Sequence, residues 1–268
     1  MSHHLRAAIF DWAGTVIDFG SRAPMGAFVD AYGRFGVTIS VAEARKPMGL
    51  PKRAHIAALM ADPAIAARWT AVHDKPPGEA EIDALYAVFV PLNTDVVSNF
   101  CTLIPGAVEM AAAVRARGMK LGSTTGYVRP IMERVLPLAA AQGYVPDNLV
   151  CAGDLADGRP SPLMMYRCFA DLGVYPPASV VKIDDTEPGI LEGLAAGTWT
   201  VGVSISGNCV GLSHEEWLAT PEEEQAALRA QAEDTLLGVG AHFVIDSIAD
   251  LLPVLDEIEA RMARGEHP

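Results

Sequence analysis

The sequence predicts an α/β fold, a doubly wound parallel sheet with an inserted helical cap domain. Short apolar, β-branched runs alternate with segments of helical period. One long stretch after the first run holds no strand, and the polar residues that stand out fall at the ends of the apolar runs. The runs are Ala7–Phe10, Lys120–Ser123, Leu149–Cys151, Val180–Ile183, Thr200–Val203 and His242–Ile245. Between most of them lie helix-period segments, Ala107–Arg117, Arg129–Ala141, Leu163–Leu172 and Ile190–Ala196. Strand alternating with helix is the pattern of a parallel sheet, whose ligands sit beyond the carboxyl ends of the strands.

The strandless stretch reads as five helices, Pro24–Phe35, Val41–Lys46, Pro51–Met60, Ala64–Val72 and Glu79–Val97. About eighty residues of helix are too many for an ordinary crossover. They predict a helical cap domain over residues 21–99, inserted into a core made of residues 1–20 and 100–268, with hinges at Asp18–Arg22 and Ser98–Pro105. A second, acidic helical insertion, Ser213–Leu237, precedes the last strand. In the first cap helix Met25, Phe28, Val29, Tyr32 and Phe35 form one apolar stripe, which either packs inside the cap or meets a second subunit.

With 268 residues, half of them apolar, the chain can bury one large core or two modest ones. A net charge of −13 argues against nucleic acid or an anionic membrane as partner. A small anionic substrate stays open, because backbone N–H groups can bind it. Cys101, Cys151, Cys168 and Cys209 contain no C-x-x-C pair, so neither a zinc knuckle nor a redox dithiol is indicated, and isolated thiols suit a reducing cytoplasm. Met1–Phe10 carries no signal-peptide apolar core before Asp11, and runs such as Leu85–Leu92 are too short to span a bilayer, so a cytoplasmic protein is expected. His3 and His4 read as incidental rather than as a metal tract.

The first apolar run ends abruptly in Asp11, followed by the small turn Trp12-Ala13-Gly14-Thr15. Alone, such an aspartate is as readily a turn cap as a nucleophile. Three other segments decide between these readings. Ser123-Thr124-Thr125-Gly126 brings hydroxyls to the end of the second strand, and Gly158-Arg159-Pro160-Ser161-Pro162 sets a fixed cation ahead of a helix. Lys182-Ile183-Asp184-Asp185-Thr186 ends the fourth strand in two carboxylates. Four such features in order at successive strand ends point to phosphoryl chemistry. Carboxylates beside a phosphoryl group need a divalent cation between them, and Mg²⁺ suits few carboxylates plus waters.

In these four segments the sequence resembles the haloacid-dehalogenase superfamily of phosphotransferases, over the whole chain and including the cap. The resemblance implies a Rossmann-like core and assigns Asp11 to attack on phosphorus. It assigns Ser123, Thr124 and Thr125 to the phosphoryl oxygens, Arg159 to charge balance, and Asp11, Asp185 and the Ala13 carbonyl to Mg²⁺. Gly189 departs from the superfamily, many of whose members place a further carboxylate four residues beyond the motif Asp. Asp184 is the candidate to replace it in the outer shell of the metal.

A second departure is Ala13, where the superfamily's phosphatases carry an acid that protonates an alkoxide leaving group. Losing such an acid typically costs about 10²–10⁴-fold in rate, so the leaving group is expected not to be an alkoxide. A carbon leaving group needs an electron sink, and an imine between a lysine and an adjacent aldehyde provides one. The cap offers Lys52 in the first turn of a helix opened by Pro51, where the helix dipole and Arg53 are expected to depress its pKa. His55 follows on the same face as a candidate proton shuttle. Lys46 is the rival amine, without a feature that would lower its pKa.

Asp11-Trp12-Ala13-Gly14-Thr15, Glu43-Ala44-Arg45-Lys46-Pro47-Met48-Gly49, Lys52 with His55, Gly122-Ser123-Thr124-Thr125-Gly126-Tyr127 and Gly158-Arg159-Pro160-Ser161-Pro162 together resemble the phosphonoacetaldehyde hydrolase (phosphonatase) family. That resemblance implies Mg²⁺-dependent hydrolysis of the C–P bond of phosphonoacetaldehyde to acetaldehyde and phosphate, through an imine on Lys52 and an aspartyl phosphate on Asp11. It also implies that Met48, His55 and Tyr127 line the substrate pocket, and that the protein is a homodimer joined through the caps. Three other readings of the same fold are a phosphate-ester hydrolase or mutase, a metal-free dehalogenase, and a non-catalytic binding protein. Ala13 speaks against the first, the Asp184-Asp185 pair against the second, and the joint presence of Asp11, Lys52, Arg159 and Asp185 against the third.

Overall fold

The computed structural model describes residues 4–268, so His3 lies outside the described residues. His4 is exposed and donates its backbone N–H to Glu259 Oε2 at 2.9 Å. Six parallel strands form one sheet in the order β3-β2-β1-β4-β5-β6. They are β1 (Ala7–Phe10), β2 (Lys120–Val128), β3 (Val150–Ala152), β4 (Val180–Asp184), β5 (Trp199–Val203) and β6 (Phe243–Ile245). Each apolar run of the sequence is a strand, with ends that agree or shift by a single residue. The exception is β2, which continues to Val128 through a register shift after Thr125 instead of stopping at Ser123. The chain winds outward from β1 to β3, then returns to the other side of β1 as β4. The β1/β4 boundary is therefore the switch point where such sheets open a crevice.

Alternating side chains of β1 face opposite layers. Ala8 and Phe10 pack with α6 (Ala107–Ala116), α7 (Arg129–Ala141) and α12 (Leu251–Ala263) through residues such as Met110, Ile131 and Leu255. Ala7 and Ile9 pack on the other side against Met164, Met165 and Cys168 of α8 (Leu163–Leu172). The same layer holds α9 (Glu187–Ala195) and α11 (Glu222–Gly238), which share a small cluster around Ile190 and Leu236. With α10 (His214–Ala219), α11 forms the acidic segment before β6.

Between β1 and β2 run α1 (Ala23–Arg34), α2 (Val41–Arg45), α3 (Lys52–Ala61), α4 (Pro63–His73) and α5 (Glu79–Val96). They enclose an apolar cluster of their own, centred on Phe28, Tyr32, Ile56, Trp69 and Phe89. Met25, Phe28 and Tyr32 of the apolar stripe are buried in it, with Val29 and Phe35 packed against it, so the stripe is interior to the helical unit rather than a free face. The two connections to this unit lie side by side. Ile17 bridges Leu103, Asp18 N–H donates to Thr102 O at 3.2 Å, and Ile104 N–H to Val16 O at 2.8 Å. All four cysteines are free thiols. Among the described residues no helix is long and apolar enough to cross a membrane.

Candidate active site

Parallel register fixes the centre of the site. Phe10 is level with Ser123 on β2 and with Ile183 on β4, so Asp11 emerges between Thr124 and Asp184 at the switch point. Asp185 follows immediately. Gly14 lets the turn after Asp11 close over it: a Cβ there would lie 2.2 Å from Asp185 Oδ2, and φ is +85°. Asp185 is buried, accepting from Asn208 N–H at 2.8 Å and from Thr15 Oγ1 at 3.4 Å. Burial, then Asp11, then Asp184 push its carboxyl well above the ordinary aspartate range.

Behind these carboxylates lies a buried ionic cluster. Arg159 Nη2 meets Asp11 Oδ1 at 2.7 Å and Asp184 Oδ2 at 3.2 Å, while its Nε meets Glu192 Oε2 at 3.1 Å. Lys182 Nζ meets Asp184 Oδ2 at 3.0 Å and Glu192 Oε2 at 3.3 Å. Burial alone would raise Asp184, but Arg159 and Lys182 hold it below the ordinary range. Lys182 and Glu192 received no role in the sequence reading. Their signal was a lysine inside an apolar strand, two residues from Asp184 and hence on its face of β4.

Gly189, the expected place of a further carboxylate by the superfamily resemblance, has no room for a side chain. A Cβ there would fall 1.9 Å from Asp184 Cγ, so the Asp184 carboxylate fills that space itself.

The cluster fits a divalent cation. Asp11, Asp184 and Asp185 offer carboxylate oxygens within 4.8 Å of one another. With Glu192 they make four buried carboxylates, against the two cations Arg159 and Lys182. The surplus formal charge is that of one divalent ion, and such an ion would offset both the burial and the neighbouring Asp11 and Asp184 charges that raise the Asp185 carboxyl.

The cleft above is lined by Asp11, Ala13, Met48, Lys52, Tyr127 and Arg159, among others. Of the candidate phosphoryl-binding residues, Thr125 lines it, beside Gly126 and Tyr127. Ser123 and Thr124 do not. The Ser123 hydroxyl donates to Phe10 O and accepts from Trp12 Nε1. The Thr124 hydroxyl donates to Glu192 at 2.9 Å and accepts from Lys182 at 2.7 Å and Arg159 at 3.1 Å. Both hydroxyls are committed to the framework under the site, a correction to the expectation that they face the phosphoryl group.

The Met48–Pro51 loop and the start of α3 close the cleft from the helical side, and close contacts seat them. A Cβ on Gly49 would be 2.3 Å from Thr186 Oγ1, one on Gly158 2.7 Å from Pro51 Cγ, and one on Gly126 3.2 Å from Leu50 O. Lys52 is the first residue of α3 and is 3 % exposed. Its Nζ lies 5.3 Å from the Tyr127 ring centroid, 5.8 Å from that of Phe28 and 3.7 Å from Met48 Sδ. Among the described residues it has no ion pair within 4 Å. Burial, partly opposed by the field of Asp11, pulls its pKa down to about 8.

The expected direction of that shift holds, but Arg53 is not among its causes. Arg53 turns away to pair with Glu79 at 2.6 Å and Asp83 at 2.7 Å, and desolvation is the leading influence. His55 is buried behind the cleft, stacked on Phe28 at 4.0 Å. Its Nε2–H donates to Ala44 O at 2.8 Å, leaving Nδ1 as an unpartnered acceptor among the described residues. Burial and then the Lys52 charge keep the ring neutral. Tyr127 lines the cleft with its hydroxyl buried and unpartnered among the described residues, while Lys46 is on the surface, 3.7 Å from Asp62.

A cluster of buried carboxylates at the switch point lies beneath the helical unit, and the relatives of the chain share a hydrolase description. The family model for haloacid dehalogenase-like hydrolases matches residues 5–197. The chain is 54% identical to a phosphonoacetaldehyde hydrolase of Paraburkholderia xenovorans over 99% of both chains. It is 48% identical to one of Aeromonas hydrophila, over 98% of this chain and 95% of that one. The crystal structure of a phosphonoacetaldehyde hydrolase-like protein from Oleispira antarctica superposes with a TM-score of 0.98 at 44% identity, covering 100% of this chain and 97% of that one. The chain belongs to the haloacid dehalogenase-like hydrolases and, within them, to the phosphonoacetaldehyde hydrolase family.

Proposed function

We propose that the chain hydrolyses the C–P bond of phosphonoacetaldehyde to acetaldehyde and phosphate, through an imine on Lys52 and an aspartyl phosphate on Asp11. Residues 21–99 act as the cap of a core formed by 1–20 and 100–268. The observation that carries the reading is the Lys52 amine, held in an apolar cage and lining one cleft with Asp11, while the acid position of a phosphatase is Ala13. The names of relatives 54% and 48% identical support the same substrate.

The phosphonate lies against Thr125, Gly126 and Arg159, with its aldehyde toward Lys52. Lys52 condenses with the aldehyde, releasing water and leaving a protonated imine. Asp11, already aligned by Arg159 at 2.7 Å, attacks phosphorus. The C–P electron pair moves into the iminium and gives an enamine on Lys52. The former C–P carbon then takes a proton, with His55 Nδ1 as the relay. Hydrolysis of the resulting imine frees acetaldehyde and Lys52, and a further water cleaves the aspartyl phosphate. Asp11 and Asp185, with the Ala13 carbonyl and Asp184 behind them, would hold Mg²⁺. Bound there, the ion would offset the negative charge gathered around the phosphoryl group.

Phosphate release tests the reading. Phosphonoacetaldehyde should be turned over, and an alkyl phosphate monoester, whose alkoxide needs the acid that Ala13 cannot supply, slower by about 10²-fold or more. Comparable rates on both would make the protein an ordinary phosphatase. Exhaustive chelation should lower turnover by about 100-fold or more, and Mg²⁺ should restore it. Full activity without metal would remove the assignment of Asp185.

The pH profile has a definite sign. The reactive form of Lys52 is the neutral amine, and its pKa of about 8 makes that form scarce below pH 8. Imine formation should therefore rise about tenfold per pH unit on approaching pH 8 and level off above it. A rate still climbing to pH 10 would mean an unperturbed lysine.

A further inference from the structure

The contacts of Arg45, the last residue of α2, reach away from its own helical unit. Its Nη1 donates to Gly20 O at 2.8 Å, Asn208 Oδ1 at 3.0 Å and Asn208 O at 3.3 Å, and its Nη2 to Gly211 O at 3.4 Å. Gly20 belongs to the connection after β1, and Asn208 and Gly211 to the loop after β5, so one side chain ties the helical unit to two segments that follow the carboxyl ends of strands. The fit is built in. At Gly211, with φ +72°, a Cβ would lie 2.7 Å from the guanidinium carbon, and at Gly20 one would lie 2.2 Å from Leu212 O.

The loop that Arg45 grips is the one that supports Asp185. Asn208 N–H donates to Asp185 Oδ2 at 2.8 Å, and at Gly207 a Cβ would lie 2.6 Å from that of Asp185. Ser206 accepts from Gly20 N–H at 2.8 Å and donates to Gly14 O at 3.0 Å, joining the same loop to the turn after Asp11. Seven residues beyond Arg45 stands Lys52, and the segment between them carries Met48 and Gly49 into the cleft.

We propose that Arg45 is a positioning residue, a latch that holds the helical unit shut over the cleft and fixes the Asn208 loop on Asp185 with the same hydrogen bonds. Closure over Lys52 and order at the carboxylates are then one event. Three backbone carbonyls and the Asn208 side-chain amide oxygen, rather than a carboxylate, receive the guanidinium, so the latch recognises the shape of the two segments. Four acceptors spread over three residues need the planar fork of arginine, which a lysine ammonium cannot reproduce.

The inference takes Lys52 as the working amine, but its test needs no substrate, so its failure and that of the phosphonate reading are distinguishable. Free enzyme is labelled with acetic anhydride at about pH 9.5, where even an ordinary lysine is partly neutral. Lys52 is read by peptide mapping against Lys120, which is exposed at the opposite end of the sheet. Arg45→Ala should raise the Lys52:Lys120 ratio by about tenfold or more, because loss of the latch populates an open form. Arg45→Lys should fall between Arg45→Ala and the wild type. An unchanged ratio in folded Arg45→Ala overturns the latch, and full restoration by Arg45→Lys overturns its dependence on the carbonyl geometry. Should Arg45→Ala not fold, Gly211→Ala decides by the same ratio, since its methyl group displaces the same guanidinium.

Discussion

Asp11→Asn should lower kcat on phosphonoacetaldehyde by at least about 10⁴-fold, the scale expected when a covalent nucleophile is removed. Asparagine keeps the shape of the side chain, and Arg159 keeps Asp184 and Glu192 as partners, so the framework under the site should survive. Stability should move the other way. Burial and the neighbouring Asp184 oppose Arg159 and leave the Asp11 carboxyl raised to about 6. A carboxylate raised above its unfolded value disfavours the folded state at any pH above that value, so neutralising it should lift the Tm of metal-free protein by a few degrees at pH 7. Differential scanning calorimetry beside a phosphate-release assay checks both halves. An Asp11→Asn variant with a tenth of wild-type activity would mean that Asp11 binds metal but does not attack phosphorus.

Lys52→Arg should cost at least about 10³-fold in turnover, because guanidinium stays protonated and cannot condense with an aldehyde. The variant keeps a cation near Phe28 and Tyr127 and should still bind inorganic phosphate. An electrostatic anchor would predict the reverse pattern, with substantial kcat and a modest change in KM. Steady-state kinetics on the variant, with phosphate as competitive inhibitor, separates the two.

The strands were legible because each is a short apolar run bounded by polar residues, and Asp11, Arg159 and Asp185 were legible because they punctuate the ends of runs or the start of a helix. Lys52 could be found from Pro51, which marks where α3 begins. The contacts made by tertiary packing were not legible. Nothing in Ser123-Thr124-Thr125 says which hydroxyl faces the cleft, since β2 runs on past its apolar segment and shifts register after Thr125. Lys182 and Glu192 are far apart in sequence and meet only when α9 packs on β4. The depressed pKa of Lys52 was expected from the dipole and Arg53, yet burial against Phe28, Tyr127 and Met48 dominates, and burial depends on the whole closed assembly.

The imine is the centre of this account, and borohydride tests it most directly. Added during turnover, borohydride should reduce the Lys52 imine to a stable secondary amine and inactivate the enzyme irreversibly. Peptide mapping should then find a two-carbon adduct on Lys52. Borohydride without substrate should leave activity intact, and Lys52→Arg should gain no adduct. An adduct on Lys46 would keep the chemistry but move it to a different residue, whereas undiminished turnover in borohydride with no adduct on any lysine would contradict the imine mechanism itself.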